Sequence, residues 1–434
     1  MNKFLFYFLL LCVASASANN PAPKQSKSIL LKGGILHVGN GVKIDNSVVG
    51  FKNGIITHVS SIAENKINEK DFDTIINIPN QHIYPGFIAP NNILGLQEIE
   101  AVRATNDFAE TGEMNPNVRS IIAYNAESKI VETVKTNGVL LAQTTPRYGA
   151  IAGTSSVVQL DAWNWQDAVV LEDDGVHLNW PSFYTPTKWG MKGPEEFEKN
   201  KNYEKSIDEL ALFFKEATAY CANQNTEKNL RFEAMRSVIN GSKNLYIRAN
   251  EVKEITEAVR FAQEQKIKKI VLVGGKYSYL CTSILKENNI PVMVGRVHDL
   301  PERADDDIDL PFKLPYLLAK ENILFCLQNE GDMEAMNARN LPFLAGTAVA
   351  FGLTYEQGVS AISLNAAKIL GIDKKYGSVE IGKSATLFIS NGDALDMKSN
   401  QLTFAFIDGR KVDLKNFQQK LYEKYQDKYK QQNN

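Results

Sequence analysis

Histidine and cysteine, which often bind transition metals in proteins, are scarce in this chain: its 434 residues include five His and four Cys. Cys12 lies in the apolar N-terminal segment, and Cys221, Cys281 and Cys326 have no CxxC spacing. Neither a cysteine-zinc motif nor a disulfide framework follows from this pattern. One bridge between two of the three remains open, although isolated cysteines are usually small buried apolar residues.

The chain also lacks an excess of charge of one sign and the glycine-rich loops that bind phosphates. Its 48 Lys and Arg against 50 Asp and Glu give a net charge of -2. This balance provides no long-range attraction to nucleic acid or to an anionic membrane. No GxGxxG or GxxxxGK[ST] segment follows a strand-like run. Small molecules and other proteins therefore remain as partners, and we expect no nucleic-acid partner.

The N-terminus has the three regions of a secretory signal peptide. A lysine precedes an apolar run at 4–13, and small residues follow at 16–18. Because the run is too short to span a bilayer comfortably, we predict that residues 1–18 are a cleaved signal peptide. The protein is then exported, periplasmic or extracellular, with no integral membrane segment after cleavage. Leu11, immediately before Cys12, does not fit a lipobox and favours soluble export over a lipoprotein.

Short strand-like segments with turn signals fill residues 28–83. Asn40-Gly41 and Asn53-Gly54 separate these segments, and Asn-Gly is a dipeptide that tight hairpins favour. The same pattern of short strand-like segments and turn signals returns near the C-terminus, where Asp408-Gly409 marks another hairpin. We predict that residues 28–83 and 371–413 together form a small β-sandwich domain.

Between these segments, apolar runs alternate with stretches of helical periodicity. Val252, Ile255, Val259 and Ala262 recur at helical spacing, and the flanking runs are short and continuous. Such runs are typical of strands buried on both faces. Nearly 300 residues of this alternation favour an α/β fold, a (β/α)8 TIM-like barrel, which we place at residues 84–370.

Two further segments differ from this rhythm. Residues 161–202 contain all four tryptophans together with Pro and Gly, and are predicted to be an extended barrel loop. Its aromatic residues either cover a pocket or form a small hydrophobic cluster separate from the main core. The tail at 414–434 has Phe417, Leu421 and Tyr425 at i, i+4 and i+8, which predicts a terminal helix lying on the surface.

Two segments at the ends of the predicted barrel carry a family pattern. HIYPGFIAPNNILGL at 82–96 matches a strand that reads PGFID, a small residue and HxH. LNAAKILG and GSVEIGKSATL, within 364–387, match an NPAKILG helix followed by a GSIEPGKDADL turn. In this the chain resembles the amidohydrolase superfamily, in particular its imidazolonepropionase and prolidase-like groups, over residues 28–413. The resemblance implies the fold, and the activity only by analogy.

The resemblance also implies zinc or another divalent metal, bound by imidazoles and carboxylates at the C-terminal ends of barrel strands. In the HxH positions, however, this chain has Asn91 and Ile93. The family's two later histidines fall at Arg248 and at Gly274 or Gly275. A guanidinium stays protonated and repels a divalent cation. We therefore predict that these metal positions are degenerate and that the protein has no metal cofactor.

One carboxylate remains where the family has its catalytic Asp. The resemblance places that position at Glu330, with a register that also admits Gln328 or Asp332. Glu330 is therefore the candidate catalytic residue. The preferred interpretation is a structural ion pair between Glu330 and Arg248. A segment rich in Ser, Thr and backbone amides surrounds Arg147 and is a candidate cradle for a carboxylate or carbonyl.

The histidines do not rebuild a metal site. His37 and His58 lie in the predicted β domain and His82 precedes the barrel. His177 and His298 are expected to lie alone in loops. Histidines in such places are usually surface or core residues rather than ligands.

These observations favour a metal-free pseudoenzyme that binds a small-molecule or anionic ligand or serves as a partner subunit. Arg248, Asn91 and Arg147 are the candidate ligand-binding residues. The expected assembly is a homo-oligomer, or a hetero-oligomer with an active amidohydrolase paralogue. The alternative is an active hydrolase of carbon-nitrogen (non-peptide) or dipeptide bonds that uses atypical or no metal ligands, with Glu330 as acid or base. A scaffold without any ligand site is the third interpretation.

Overall fold

A computed structural model describes residues 20–64, 66–190, 193–223, 227–303 and 305–432. The predicted signal peptide, with Cys12, lies outside the described residues. No helix in the described ranges is long and apolar enough to cross a membrane. Cys221, Cys281 and Cys326 are free thiols, so the bridge that the sequence left open is not formed between them.

The fold contains two large sheets and a hairpin, joined by helices. The strands are β1 Ile29–His37, β2 Lys43–Lys52, β3 Ile55–Ser61, β4 Thr74–Asn77, β5 His82–Pro85, β6 Phe87–Asn92, β7 Val139–Thr144, β8 Ile151–Gln159, β9 Val169–Asn179, β10 Tyr184–Gly190, β11 Gly193–Lys199, β12 Asn244–Ala249, β13 Ile270–Gly274, β14 Val292–Val294, β15 Phe325–Leu327, β16 Leu387–Ser390, β17 Leu402–Ile407 and β18 Arg410–Lys411. The helices are α1 Lys129–Lys135, α2 Trp165–Ala168, α3 Tyr203–Ala222, α4 Leu230–Ile239, α5 Val252–Glu264, α6 Thr282–Glu287, α7 Leu310–Lys320, α8 Glu334–Asn337, α9 Leu341–Ala350, α10 Tyr355–Ala361, α11 Leu364–Leu370 and α12 Phe417–Gln432. Short 3₁₀ turns lie at Glu69–Asp71, Arg103–Thr105, Ser120–Ala123, Ser278–Leu280 and Ala338–Asn340.

The first sheet combines both ends of the chain. Its strand order is β18-β17-β16-β5-β1-β2-β3, with β4 paired to β1, so C-terminal β16 lies beside N-terminal β5. Ile55 at the start of β3 bridges Ser384, just before β16, so the sheet folds back over its own apolar core. Asn53 and Gly54 both have positive φ, 53° and 79°, as the tight turn between β2 and β3 requires. The small β domain predicted from both terminal segments is confirmed.

The second sheet is a nearly closed barrel of eight strands in the order β15-β14-β13-β12-β9-β8-β7-β6. Asn91 of β6 donates a hydrogen bond from Nδ2 to Oε1 of Gln328, which follows β15, across 3.2 Å. β8 runs antiparallel to both of its neighbours, whereas the other pairs are parallel. Residues 145–150 are too few for the crossover that parallel strands need. The predicted TIM-like barrel is confirmed, with this one reversal.

The segment 161–202, predicted as a loop, instead contains β9, a strand of the barrel, and the hairpin β10-β11. The sequence LEDDG within β9 is charged, and Asp173 in it has a positive φ of 50°. The apolar pattern of a buried strand is therefore interrupted there. Trp180 is buried and donates its indole N–H to the Tyr203 hydroxyl, whereas Trp163 is exposed. The side chain of Trp189 lies outside the described residues.

The tail forms α12, but the helix does not lie flat on the surface. Its first turn contacts the barrel through the Thr133 hydroxyl, which donates to Gln418 Oε1 at 3.3 Å. Beyond that turn the aromatic side chains of Tyr422, Tyr425 and Tyr429 face solvent. The amphipathic pattern therefore predicted the helix correctly and its packing wrongly.

Candidate functional site

A cavity of about 620 Å³ opens at the C-terminal ends of the barrel strands. Its walls include Arg147 after β7, Asn179 at the end of β9, Arg248 near the end of β12, Arg296 after β14 and Glu330 after β15. The C-terminal face is where barrels of this kind carry their sites, because the loops that follow the strands converge there. Three of the four candidate residues, Arg147, Arg248 and Glu330, line this cavity directly.

The fourth candidate, Asn91, is fully buried beneath the cavity at the end of β6. Its Nδ2 donates to Gln328 Oε1 and to Glu330 Oε2, both at 3.2 Å. Its Oδ1 accepts from Arg147 Nη1 at 3.1 Å, and its backbone oxygen accepts from Arg147 Nη2 at 2.8 Å. Its backbone N–H donates to Gln143 Oε1 at 2.9 Å. Asn91 therefore organises the neighbouring side chains through these hydrogen bonds, and its role as a ligand-binding residue stays a prediction.

Two ion pairs complete this arrangement. Arg248 contacts Glu330, the pair that the sequence favoured. Arg147 contacts Glu334, the first residue of α8, through Nε and Nη2, which lie on one edge of the guanidinium. The cluster that we call the arginine-glutamate network consists of these two ion pairs, Arg248 with Glu330 and Arg147 with Glu334, together with Asn91. Its two guanidinium and two carboxylate charges balance, so burial costs less than it would for either charge alone.

Ile93 and Gly274, the other two degenerate positions, also lie at this site. The Ile93 backbone N–H donates to Glu334 Oε1 at 3.1 Å, and its side chain lines the cavity. Gly274 has φ +86°, and a Cβ there would lie 2.5 Å from Asn250 Oδ1 and 3.6 Å from Glu330 Oε1. Glycine is therefore required by the backbone and by the crowding at this strand end.

The residues at the strand ends do not fit a divalent metal. Among the described residues, no group of three or more His, Cys, Asp or Glu side chains could hold a metal ion. Two guanidinium groups occupy this end of the barrel, and one such charge at about 4 Å from a 2+ ion would cost roughly 8 kcal/mol at an effective dielectric near 20. Burial, and secondarily Arg147, lower the pKa of Arg248 to about 9, which leaves it protonated at neutral pH.

Arg296 is a pocket cation that sequence reasoning missed. Its Nε donates to Asn329 Oδ1 at 3.0 Å and its Nη2 to the Asp332 backbone oxygen at 2.6 Å. In the described part of the chain it pairs with no carboxylate, whereas Lys276 in the same cavity lies beside Asp299. Arg296 is the second residue after strand β14, a position that the family pattern does not mark but that the strand-end rule could have found.

A second polar layer lies inside the barrel, directly below the network. Ser155 Oγ donates to Asp174 Oδ1 at 2.8 Å and lies 2.8 Å from His177 Nε2. Gln143 Nε2 and the Tyr246 hydroxyl donate to Asp174 Oδ2 at 2.7 and 2.5 Å. We call these five residues the buried polar layer. His177 was expected alone in a loop; it lies on β9 because the segment around it is a barrel strand.

The other histidines form no site of their own. His37 is 2.7 Å from Glu356 Oε1 through Nδ1 and 3.0 Å from His82 Nδ1 through Nε2, where the β domain meets the barrel. His58 and His298 each hydrogen-bond one hydroxyl group. Their contacts agree with the structural role expected from the sequence.

Comparison with known proteins supports the fold and relates the C-terminal part of the chain to one family. Residues 323–414 match the amidohydrolase family. An amidohydrolase from Thermotoga maritima MSB8 is 23% identical, with a TM-score of 0.75 over 89% of this chain and 99% of its own. A Xaa-Pro dipeptidase with bound methionine is 12% identical, with a TM-score of 0.54 over 89% of this chain and 100% of its own.

An adenosine deaminase from Xanthomonas campestris with bound zinc is 14% identical, with a TM-score of 0.51 over 90% of this chain and 93% of its own. No curated protein sequence matches the chain. The strand order and the position of the cavity define a TIM-like barrel protein. Residues 323–414 match the amidohydrolase family, and over most of its length the chain is similar in fold to the amidohydrolase from Thermotoga maritima MSB8.

Proposed function

We propose that this protein is an exported pseudoenzyme of the amidohydrolase superfamily that binds a small anionic molecule in the cavity and uses no metal. The observation that carries the proposal is the arginine-glutamate network at the strand ends. Arg147 and Arg248 supply two positive charges at the end of the barrel where the family resemblance implies metal ligands, and Glu330 and Glu334 neutralise them. The site is thus electrostatically complete without a metal.

Arg296 is the principal anchor for the anion in this proposal, in place of Arg248. Two of its nitrogens are held by Asn329 and by the Asp332 backbone, so the guanidinium is oriented before a ligand arrives. Arg248 contributes its remaining N–H groups, since only its Nη1 contacts Glu330. Guanidinium groups bind carboxylates and phosphates well because their N–H groups match the planar oxygen pair. The methionine bound by the structurally similar dipeptidase also carries a carboxylate.

A specific observation supports a second candidate function, an active hydrolase with Glu330 as acid or base. Glu330 Oε2 accepts hydrogen bonds from Asn91 and Arg248, whereas Oε1 faces a notch lined by Gly274 and Gly295. A Cβ at either glycine would lie 3.6 Å from this oxygen, so the missing side chains leave it room. An oxygen placed in this way is able to exchange a proton with a bound molecule.

Elemental analysis and calorimetry test the first candidate, and a hydrolysis assay tests the second. We expect the purified protein to contain far less than one zinc, manganese or iron per chain, and sulfate or succinate to bind with measurable affinity. Arg296→Gln weakens that binding about tenfold or more, since a charged hydrogen bond contributes about 1.5–3 kcal/mol. Arg236→Gln is the control, because Arg236 pairs with Glu233 on the helix α4, remote from the cavity.

Stoichiometric metal would disprove the metal-free proposal, and unchanged anion affinity in Arg296→Gln would disprove the anchor. Carbon-nitrogen bond hydrolysis that disappears in Glu330→Gln would support the second candidate instead.

Export and assembly are tested separately. The mature protein is expected to begin after Ala18 and to be found in the periplasmic or extracellular fraction. Light scattering of the purified protein would report a homo-oligomer. Co-purification of an amidohydrolase with an intact HxH motif would identify a hetero-oligomer. A cytoplasmic chain that retains residues 1–18 would contradict the export proposal.

A further inference from the structure

The buried polar layer contains a hydroxyl group that links an acid to an imidazole. Ser155 Oγ lies 2.8 Å from Asp174 Oδ1 and 2.8 Å from His177 Nε2. These distances suit a hydrogen bond in either direction, since a hydroxyl both donates and accepts. Asp174, Ser155 and His177 are buried, with at most 5% of each residue exposed. The three side chains therefore form a continuous hydrogen-bonded row within the barrel.

Protons can be placed on this row in two ways, and in each of them both hydrogen bonds of the row are made. When Asp174 is ionised, Ser155 donates to Asp174 Oδ1 and His177 donates to Ser155 from an Nε2–H. When Asp174 carries a proton on Oδ1, it donates to Ser155, which donates to an unprotonated His177 Nε2. The imidazole is then neutral with its hydrogen on Nδ1. In both arrangements Gln143 and Tyr246 continue to donate to Asp174 Oδ2.

We propose that His177, Ser155 and Asp174 form a proton relay that carries a proton from the cavity side of the barrel to Asp174. A proton binds His177 Nδ1, the Nε2–H proton passes to the Ser155 oxygen, and the Ser155 hydroxyl proton passes to Asp174 Oδ1. Asp174 gains one proton, Ser155 remains a neutral hydroxyl and His177 remains neutral with its tautomer exchanged. The reverse sequence returns the proton to solvent.

The surroundings of His177 favour entry at Nδ1. No described residue hydrogen-bonds to this atom, whereas Nε2 lies 2.8 Å from Ser155 Oγ. Asn179 lies two residues further along β9, on the same face of the strand, and lines the cavity. Nδ1 is therefore the end of the row nearest to the open side of the barrel.

The charges around the row favour a proton on Asp174 and not on His177. Burial lowers the pKa of His177, and Arg147 and Arg248 lower it further, so the imidazolium form is disfavoured. Burial raises the pKa of Asp174 to about 6, while hydrogen bonds from Tyr246, Ser155 and Gln143 oppose that rise. Among the described residues, no cation pairs with Asp174, and the titratable side chain that hydrogen-bonds to it is that of Tyr246.

The tautomer of His177 reports the state of the relay and can be measured by nitrogen NMR of the full chain labelled with ¹⁵N-histidine. With five histidines, the His177 signals are assigned by their loss in His177→Gln. In the native protein we expect a neutral ring at all pH values between 5 and 8. Its hydrogen moves from Nε2 to Nδ1 as the pH falls, with a midpoint near 6.

Three variants test the coupling. Asp174→Asn should hold the Nδ1–H tautomer at every pH, because its amide donates to Ser155 as the protonated acid does. Ser155→Ala should abolish the exchange by removing the link. Tyr246→Phe keeps the carboxyl group but removes one donor to it, so the midpoint should move to higher pH.

Tyr376→Phe is the matched control, because Tyr376 donates to Asp408 in the β domain, away from the row. It should leave the midpoint unchanged. A tautomer that does not depend on pH in the native protein, or a ring that titrates to imidazolium, would overturn the proposal. So would an unchanged midpoint in Tyr246→Phe, a result that remains informative if Asp174→Asn does not fold. These measurements need no ligand, so their outcome is independent of the proposed anion binding.

Discussion

The arginine-glutamate network at the strand ends and the buried polar layer on β7, β8, β9 and β12 belong to the same barrel but handle charge differently. In the network, each of two guanidinium groups faces a carboxylate. In the layer, Asp174 has three hydrogen-bond donors and no described cation. Buried ion pairs depend on both partners, whereas a lone buried carboxyl responds to pH. The comparison therefore separates a region sensitive to mutation from one sensitive to protons.

Removing one charge from the buried half of the network should have the largest effect. Arg147→Met leaves the Glu334 carboxylate without its partner. The cost is large because the side chains at both positions are at most 14% exposed in the native protein. We expect the free energy of unfolding to fall by about 3–5 kcal/mol in urea titrations. The double variant Arg147→Met, Glu334→Leu should recover much of this loss. A single variant as stable as the native protein would show that the pair does not stabilise the fold.

The layer should make stability depend on pH in an unusual direction. The folded pKa of Asp174 is about 6, whereas an unfolded Asp has a pKa near 3.9. The folded state therefore binds this proton more tightly, and its contribution to stability is present below about pH 4 and lost as the pH rises through about 6. The loss amounts to about 3 kcal/mol.

Asp174→Asn removes this contribution without changing the other titrating groups. The difference between native and variant unfolding free energies, measured from pH 4 to pH 7, should therefore vary by about the same amount. If this difference is constant with pH, the pKa of Asp174 has its ordinary value in the folded protein. The buried polar layer would then be no more sensitive to pH than the arginine-glutamate network.

The strand end between the two regions should tolerate a methyl group poorly. Gly274→Ala combines a positive φ with a Cβ placed 2.5 Å from Asn250 Oδ1. We expect a loss of about 2 kcal/mol in the same urea titrations, from strain and overpacking. Gly382→Ala is the comparison variant, since its φ is also positive but no atom lies within 4 Å of the added carbon. Equal losses would assign the effect to backbone strain alone.

The less buried half of the network should give the smallest effect. Glu330→Gln removes one charge of a pair whose Arg248 side chain is 28% exposed, so water compensates part of the loss. We expect about 1 kcal/mol or less in the unfolding free energy. A loss as large as that of Arg147→Met would show that both pairs are equally buried and that the network is one unit.

Much of the fold followed from patterns in the chain, and the failures have identifiable causes. Asn53-Gly54 and the segment at 82–96 correctly indicated a hairpin and the barrel entry. β9 was missed because charged residues and a positive φ at Asp173 interrupt its pattern. The packing of α12 was predicted wrongly because an amphipathic pattern marks an apolar face but not the surface that covers it.

The candidate site divides in the same way. Asn91, Arg248 and Glu330 were found because each lies where a family motif marks a strand end. Glu334 and Arg296 were missed because no motif marks them, although both follow strands whose ends form the cavity. The pairing of Arg248 with Glu330 was predicted from the opposite charges that the family resemblance places at two strand ends.

The sequence by itself determined the periodicity of buried faces, the turns that need positive φ, and the absence of imidazoles from the positions that the family resemblance marks. These are local properties, set by residue type and spacing. Only the tertiary structure decided that Arg147 pairs with Glu334, and that Ser155 lies between Asp174 and His177. Those contacts join residues of different strands and loops, and their geometry depends on strand order, on the reversal of β8 and on the register between neighbours.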